Sequence, residues 1–157
     1  MNTKKLYFAY GMNTNDAEMS ARCPDAEFIG KGKIKGYRLA FRSVADFEKA
    51  EDATLHGALW LISDEDEKAL DRLEGYPNLY GKLYTDVVYN KKVINNVMIY
   101  KMNSNDYSEP SNHYYNCLVE GYYFAKLPQG QLSGARQFSI DNTKPKGLFY
   151  WNETIPF

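Results

Sequence analysis

The stretch that most constrains this chain is its opening, Leu6-Tyr7-Phe8-Ala9-Tyr10-Gly11-Met12-Asn13-Thr14-Asn15. Five apolar or aromatic residues in a row suit a strand buried on both faces, and Gly11 stops it. Asn13, Thr14 and Asn15 all have side chains that cap helices. Asn15 with Glu18 three residues on makes a box-like start for a short helix through Asp16, Ala17 and Met19. That helix ends early, because Cys23 precedes Pro24 and the residue before a proline is pushed out of helical geometry. A glycine-bearing turn between a buried strand and a helix N-terminus gathers unpaired main-chain N–H groups, a ready place for a carboxylate, phosphate or oxyanion. An ordinary strand–helix connection is the plainer reading of the same residues.

With 157 residues, 44% of them apolar, the chain can bury one core, so a single domain over residues 1–157 is expected. A formal charge of -1 leaves no dominant basic field for general nucleic-acid binding. Lys31, Lys33 and Lys35 alternate with Gly32 and Ile34 and read as the solvent face of a strand, with phosphate binding the lesser alternative. Cys23 and Cys117 lie far apart and neither belongs to a metal-spaced pair, so neither zinc nor a disulfide is indicated and a reducing cytoplasm fits. The apolar run after Lys4 and Lys5 is too short for a signal segment or a membrane span. A cytoplasmic protein with no nucleic-acid or membrane partner is expected.

Residues 27–35 and 37–41 read as two strands joined by a turn at Lys35-Gly36, and residues 43–54, rich in acids, as a solvated loop able to cover a site. Residues 55–62 read as a central strand in which Gly57 marks a close approach by another backbone or a ligand, and His56 as a core histidine. Ser63 caps a helix with Asp64, Glu65 and Asp66 in its first turn and an Asp64–Lys68 pair. Residues 79–89 and 93–102 form a hairpin about Asn90-Lys91. A second helix starts at Ser111 with an apolar stripe of Tyr114, Tyr115, Leu118, Val119, Tyr122 and Tyr123. Residues 129–157, with Gly130, Gly134, Pro145, Gly147 and Pro156, read mostly as loop, and Phe149-Tyr150-Trp151 needs an apolar surface on the domain or on a second copy.

One carboxylate falls in an unusual place. On the helix from Ser63 the apolar positions are Ala69, Leu70 and Leu73, and Glu74 lies one step after Leu73 and four after Leu70. Gly75 follows as the C-terminal cap. Glu74 therefore points inward at the negative end of a helix, where burial and the dipole both penalise its charge and raise its pKa toward the range of a working base and acid. The alternative is that it swings out to Lys68, Arg72 or solvent. His113 and Cys117, spaced i,i+4, make a weaker thiol–imidazole candidate. No serine nucleophile elbow is present.

The turn and the inward acid together resemble the gamma-glutamylcyclotransferase-like family, also called AIG2-like or BtrG-like. Its Tyr-Gly-Ser-Asn loop is matched by Tyr10-Gly11-Met12-Asn13, and its Leu-Asp-x-x-Glu-Gly segment by Leu70-Asp71-Arg72-Leu73-Glu74-Gly75, with Tyr80 as the following aromatic. A looser Pro-Ser-x-x-Tyr match is Pro110-Ser111-Asn112-His113-Tyr114. The resemblance covers about residues 6–128 and leaves 129–157 as an extension packed on the domain or at a dimer contact. It implies an α+β fold, a mixed and strongly curved sheet or small barrel with a few packed helices, acting as a monomer or homodimer.

It also implies an enzyme without metal or cofactor that cyclises a gamma-glutamyl amide or amine to 5-oxoproline and releases an amine or amino acid. Glu74 would be the general acid and base. Tyr10, Gly11, Met12, Asn13, Thr14 and Tyr80 would bind the small-molecule substrate. The chain departs from the family at Met12, where serine is usual, and at Thr14, where leucine or methionine is common. Met12 and the unmatched aromatic tail motivate the alternative of a non-catalytic small-molecule binding or sequestering protein. A related amide hydrolase or transferase is a third reading.

Overall fold

The computed structural model describes residues 3–143. The Phe149-Tyr150-Trp151 segment lies outside the described residues. Five strands close into a barrel in the order β1-β3-β2-β4-β5: β1 (Lys4–Ala9), β2 (Glu27–Arg42), β3 (Val44–Ser63), β4 (Tyr80–Tyr89) and β5 (Lys92–Met102). Neighbours pair antiparallel except β1 and β5, which meet in parallel at Tyr7 and Met98. The fold is thus the mixed, closed α+β arrangement expected, with α1 (Asp16–Arg22), α2 (Asp64–Glu74), α3 (Asn112–Ala125) and α4 (Gln129–Asn142) around it.

The opening strand behaves as its composition dictates. Tyr7, Phe8 and Ala9 are all buried, and β3 runs beside them from Ala58 to Ser63. Gly57 is the close approach: a Cβ there would collide with the Phe8 ring and stand 2.6 Å from the Ala9 carbonyl oxygen. Any side chain at 57 would therefore push β1 off the barrel.

Two expectations about β2 and β3 are corrected. Residues 27–42 form one strand, and Gly36 is a bulge with φ 86 between Lys35 and Tyr37, not a hairpin turn. Residues 43–54 are not a loop. The chain reverses at Ser43, φ 69, and Ala45, Asp46 and Phe47 return as buried positions of β3. Only residues 50–53, holding the exposed acids Glu51 and Asp52, leave the ladder. The acidic composition concealed a strand because Asp46 and Glu48 are internal partners. Asp46, 0% exposed, accepts from Arg42 Nε at 2.6 Å, Lys101 Nζ at 2.7 Å and the Met102 N–H at 3.0 Å. Glu48 takes Arg42 Nη2 at 3.0 Å and Arg38 Nη2 at 2.7 Å.

The helices are set by their ends. Asn15 Oδ1 accepts from the Glu18 N–H, and α1 stops at Cys23. Ser63 and Asp66 form a reciprocal capping box on α2, and Gly75 closes it in the left-handed conformation with its N–H on the Arg72 carbonyl. Lys68 reaches Glu65, and Asp64 takes the Thr3 hydroxyl, so the expected Asp64–Lys68 pair does not form. On α3 the stripe holds except for Tyr123, which is 83% exposed. The expectation of loop after 129 fails for α4. Its two glycines face open space, so they carry no turn, while Leu132, Ala135 and Ser139 are buried where α4 lies along β2.

Asp46→Ala leaves the Arg42 guanidinium and Lys101 facing an empty interior position. Unfolding in urea should show a loss of roughly 3–5 kcal/mol, the scale for breaking a buried pair from one side.

Candidate active site

One end of the barrel is open. There the turn after β1, the start of β3, the start of β4, the end of β5 and the first turn of α3 surround a cavity of about 210 Å³. Tyr10, Gly11, Met12, Asn13, Glu74 and Tyr80 all line it, so six of the seven residues singled out in the sequence are brought together. Thr14 is the exception. It is fully buried, and its Oγ1 donates to the Gly11 carbonyl at 2.7 Å, fastening the turn from behind.

After Gly11 the chain makes a 3-10 turn, Met12–Thr14, whose hydrogen bonds use the N–H groups of Thr14 and Asn15. The N–H groups of Met12 and Asn13 donate to no other described residue, as the head of such a turn requires. Gly11 is fixed by crowding: a Cβ there would stand 2.9 Å from Ala45 Cβ and 3.3 Å from Tyr114 Oη. Behind it, the Tyr122 hydroxyl donates to the Tyr10 carbonyl at 2.6 Å, tying the turn to α3.

Glu74 is the last residue of α2 and its side chain is half-buried against this cavity. Its carboxylate makes no hydrogen bond or ion pair with any described residue. Burial raises its pKa from 4.5 to about 7, against an opposing pull from the Arg22 guanidinium. The negative end of α2 acts in the same direction as burial. Lys68 and Arg72, the outward partners weighed for it, do not reach it. Leu73, expected to be buried beside it, is 44% exposed and stands with Leu79, 51% exposed, where the cavity opens.

The tyrosines divide into two sets. Tyr10 donates its phenol proton to the Tyr100 carbonyl at 2.6 Å, Tyr80 to the Ala45 carbonyl at 2.8 Å, and Tyr100 to Asp71 Oδ1 at 2.6 Å. These three build walls. Tyr7 and Tyr114 only accept, from Asn13 Nδ2 at 3.0 Å and from the Ala45 N–H at 3.0 Å, so their phenol protons have no acceptor among the described residues. Burial first, and then the charge of Glu74, hold both phenols protonated and able to donate.

Arg22 also lines the cavity, with Nη1 on Asn13 Oδ1 at 3.2 Å and Nη2 on Glu18 Oε1 at 2.9 Å. Sequence reasoning missed Arg22 and Tyr7 as lining residues. The i,i+4 spacing of Glu18 and Arg22 signals only a helix-surface pair, and Tyr7 reads as one more core aromatic. Tyr114 carried a signal, the last position of the Pro-Ser-x-x-Tyr match. His113 and Cys117 form no hydrogen bond with each other, and His113 is exposed, so no dyad is assembled. Among the described residues no group of His, Cys, Asp and Glu is placed to hold a metal ion, and no described helix is long and apolar enough to cross a membrane.

A profile of the family described as gamma-glutamyl cyclotransferase, AIG2-like, matches residues 7–123. Among solved structures, a gamma-glutamyl cyclotransferase superposes with a TM-score of 0.76 at 21% identity, over 85% of this chain and 87% of that one. The protein loc79017 from Homo sapiens gives 0.75 at 20% identity, over 98% and 94%. YkqA from Bacillus subtilis gives 0.71 at 19%, over 90% of this chain and 56% of its own. At these identities the likeness is one of fold. No curated protein sequence matches the chain.

An acid whose folded pKa is raised binds more protons folded than unfolded, so stability falls as pH rises from the unfolded value, 4.5, through about 7. Thermal melts across that window should show this decline in the native protein and lose it in Glu74→Gln. Carbon-13 NMR of the Glu74 carboxyl should give a midpoint near 7, moved higher by Arg22→Met, since Arg22 pulls it down.

Proposed function

The chain belongs to the gamma-glutamyl cyclotransferase, AIG2-like family, and we propose that it cyclises a gamma-glutamyl amide or amine to 5-oxoproline, with Glu74 moving the protons. The observation that carries the reading is the partnerless Glu74 carboxyl, lining one cavity with the partnerless N–H groups of Met12 and Asn13. Nucleophile and electrophile sit in one substrate molecule, so the protein's task is to fold that molecule and relay protons.

In the proposed course the substrate's alpha-carboxylate lies on the Met12 and Asn13 N–H groups with the Arg22 charge nearby. Ionised Glu74 takes a proton from the alpha-ammonium. The freed amine attacks the gamma-carbonyl carbon, and the oxygen that becomes negative is met by the phenol protons of Tyr7 or Tyr114. Glu74 returns its proton to the leaving nitrogen as the carbon–nitrogen bond breaks, then takes the second proton from the new ring nitrogen. The ring nitrogen loses two protons in all, and the released amine carries both away as an ammonium. A carboxyl with a pKa of about 7 suits both directions of transfer near neutral pH.

Met12 in place of the family's serine fits this course if position 12 contributes its N–H alone. The apolar residues at the cavity mouth, Leu73 and Leu79, would face the departing amine.

Incubation with a panel of gamma-glutamyl dipeptides and amines should release 5-oxoproline, read by mass spectrometry. Glu74→Gln should lower turnover by roughly 10²–10⁴-fold, the scale of general acid–base catalysis. The rate at low substrate should climb with pH through about 7, where the free carboxyl ionises. Full activity in Glu74→Gln would remove the mechanism, and free glutamate in place of the cyclic product would replace the reaction with hydrolysis.

A further inference from the structure

A second hollow lies away from the Glu74 cavity, with a volume of about 660 Å³. Its floor is the pairing of β2 with β3, where Lys33 stands opposite His56 and Lys31 opposite Ala58. One wall is the β4–β5 turn, with Asn90 and Lys91, and the other is the link between α3 and α4, with Lys126, Leu127 and Pro128. Four lysines, Lys31, Lys33, Lys91 and Lys126, converge on it, and no aspartate or glutamate lines it.

That concentration stands out on a chain of net charge -1. Elsewhere Lys4, Lys5, Lys68, Lys82 and Lys101 each lie within 3.4 Å of a carboxylate, while Lys35, Lys49 and Lys92 reach none among the described residues, so what distinguishes the hollow is four such lysines around one space. None of the four lysines of the hollow reaches an acid among the described residues. The first turn of α4, which begins beside it, carries no acid either. Like charges gathered around one space repel each other, and the charge they lack is that of an anion in the space. His56, expected in the core, is half-buried here. Burial first, and then the charges of Lys33 and Lys31, hold its pKa below the ordinary value.

Beyond His56 and Pro128 the floor continues into an adjoining hollow between β2 and α4, lined by Arg38, Thr54, Gly130, Gly134 and Phe138. Cβ atoms at Gly130 and Gly134 would meet nothing within 4 Å, so that side is open. Gln131, at the junction, is fixed by hydrogen bonds to both main-chain groups of His56 at 2.8 Å and keeps the β3–α4 seam shut. The lysine end suits phosphoryl groups, and the adjoining hollow has room for an organic body beside the Arg38–Phe138 stack.

We propose that the lysine-lined hollow between β2, the β4–β5 turn and the α3–α4 link binds a small molecule carrying a di- or triphosphate. The site is independent of the cyclisation chemistry and of Glu74. Lysine ammonium groups are point donors that converge on phosphate oxygens without fixed geometry, which matches a ring of exposed lysines from three separate elements.

The test is calorimetric titration of the full chain with inorganic pyrophosphate and with a nucleoside diphosphate at 150 mM salt, alongside Lys33→Glu and Lys91→Glu. Saturable binding to one site is expected, with a loss of about tenfold or more per reversed lysine, the scale of a hydrogen bond to a charged group. The lysines are exposed, so the variants should keep the native melting temperature, and Glu74→Gln should bind as the native protein does. The His56 imidazole NMR signals should move on titration. Tighter binding of the nucleoside diphosphate than of pyrophosphate would place the organic body in the adjoining hollow. No heat from either probe, equal binding by both lysine variants, or tighter binding of an oligonucleotide would overturn the proposal.

Discussion

Withholding partners from one acid is the constraint around which this structure turns. Dehydrating a carboxylate penalises its charged form, and a protein ordinarily offsets that with a cation or main-chain donors. Around Glu74 several of the nearby donors are committed elsewhere, and the free phenol protons of Tyr7 and Tyr114 make no hydrogen bond with it. Tyr10, Tyr80 and Tyr100 give their protons to wall acceptors, and Arg22 is turned toward Asn13 and Glu18. What remains is a carboxyl that balances between its two protonation states near neutrality. Its place is held by α2, whose capping box at Ser63 and left-handed Gly75 fix where the helix begins and ends.

The same barrel contains a second inward acid with the opposite fate, and the contrast separates structure from chemistry. Asp46 is more deeply buried than Glu74 yet is met by Arg42, Lys101 and the Met102 N–H. Its neighbour Ala45 then offers a carbonyl to Tyr80 and an N–H to Tyr114, so the paired acid anchors the wall against which the unpaired one works. A satisfied buried ion network is rigid.

Much of this was legible in the residues, for identifiable reasons. The opening strand, the Asn15 cap, the stop before Pro24, the Ser63 cap and the close approach at Gly57 each follow from local sterics or hydrogen bonding, and each is present. The misses share another cause. Residues 43–54 read as solvent-facing because acids usually are, and only the cations that the β2–β3 pairing and β5 bring to them, Arg42, Arg38 and Lys101, turn them inward. Two glycines argued against α4, although on a face with nothing near them they cost helix propensity alone. At the site, composition indicated which residue types would gather. It could not indicate which of several tyrosines would keep a free proton, since that depends on which carbonyl lies within 3 Å of each ring.

The cavity is also divided along its depth, which bears on what enters it. Its inner end offers N–H groups, phenol protons and a titrating acid, while Met12, Val44, Leu73 and Leu79 make an apolar lining whose two leucines are its most exposed members. For the proposed substrate this lining suits a polar head among the donors and an apolar or adaptable remainder beside the leucines. Gly11 and Met12 differ in how tightly they are specified. Gly11 admits no side chain because Ala45 stands 2.9 Å from where its Cβ would be, whereas residue 12 supplies an N–H to the inner end whatever its side chain. A methionine at 12 thus keeps that N–H and adds a flexible thioether to the cavity lining. Under the proposed cyclisation, the departure from serine changes the side chain that lines the cavity and keeps the main-chain N–H.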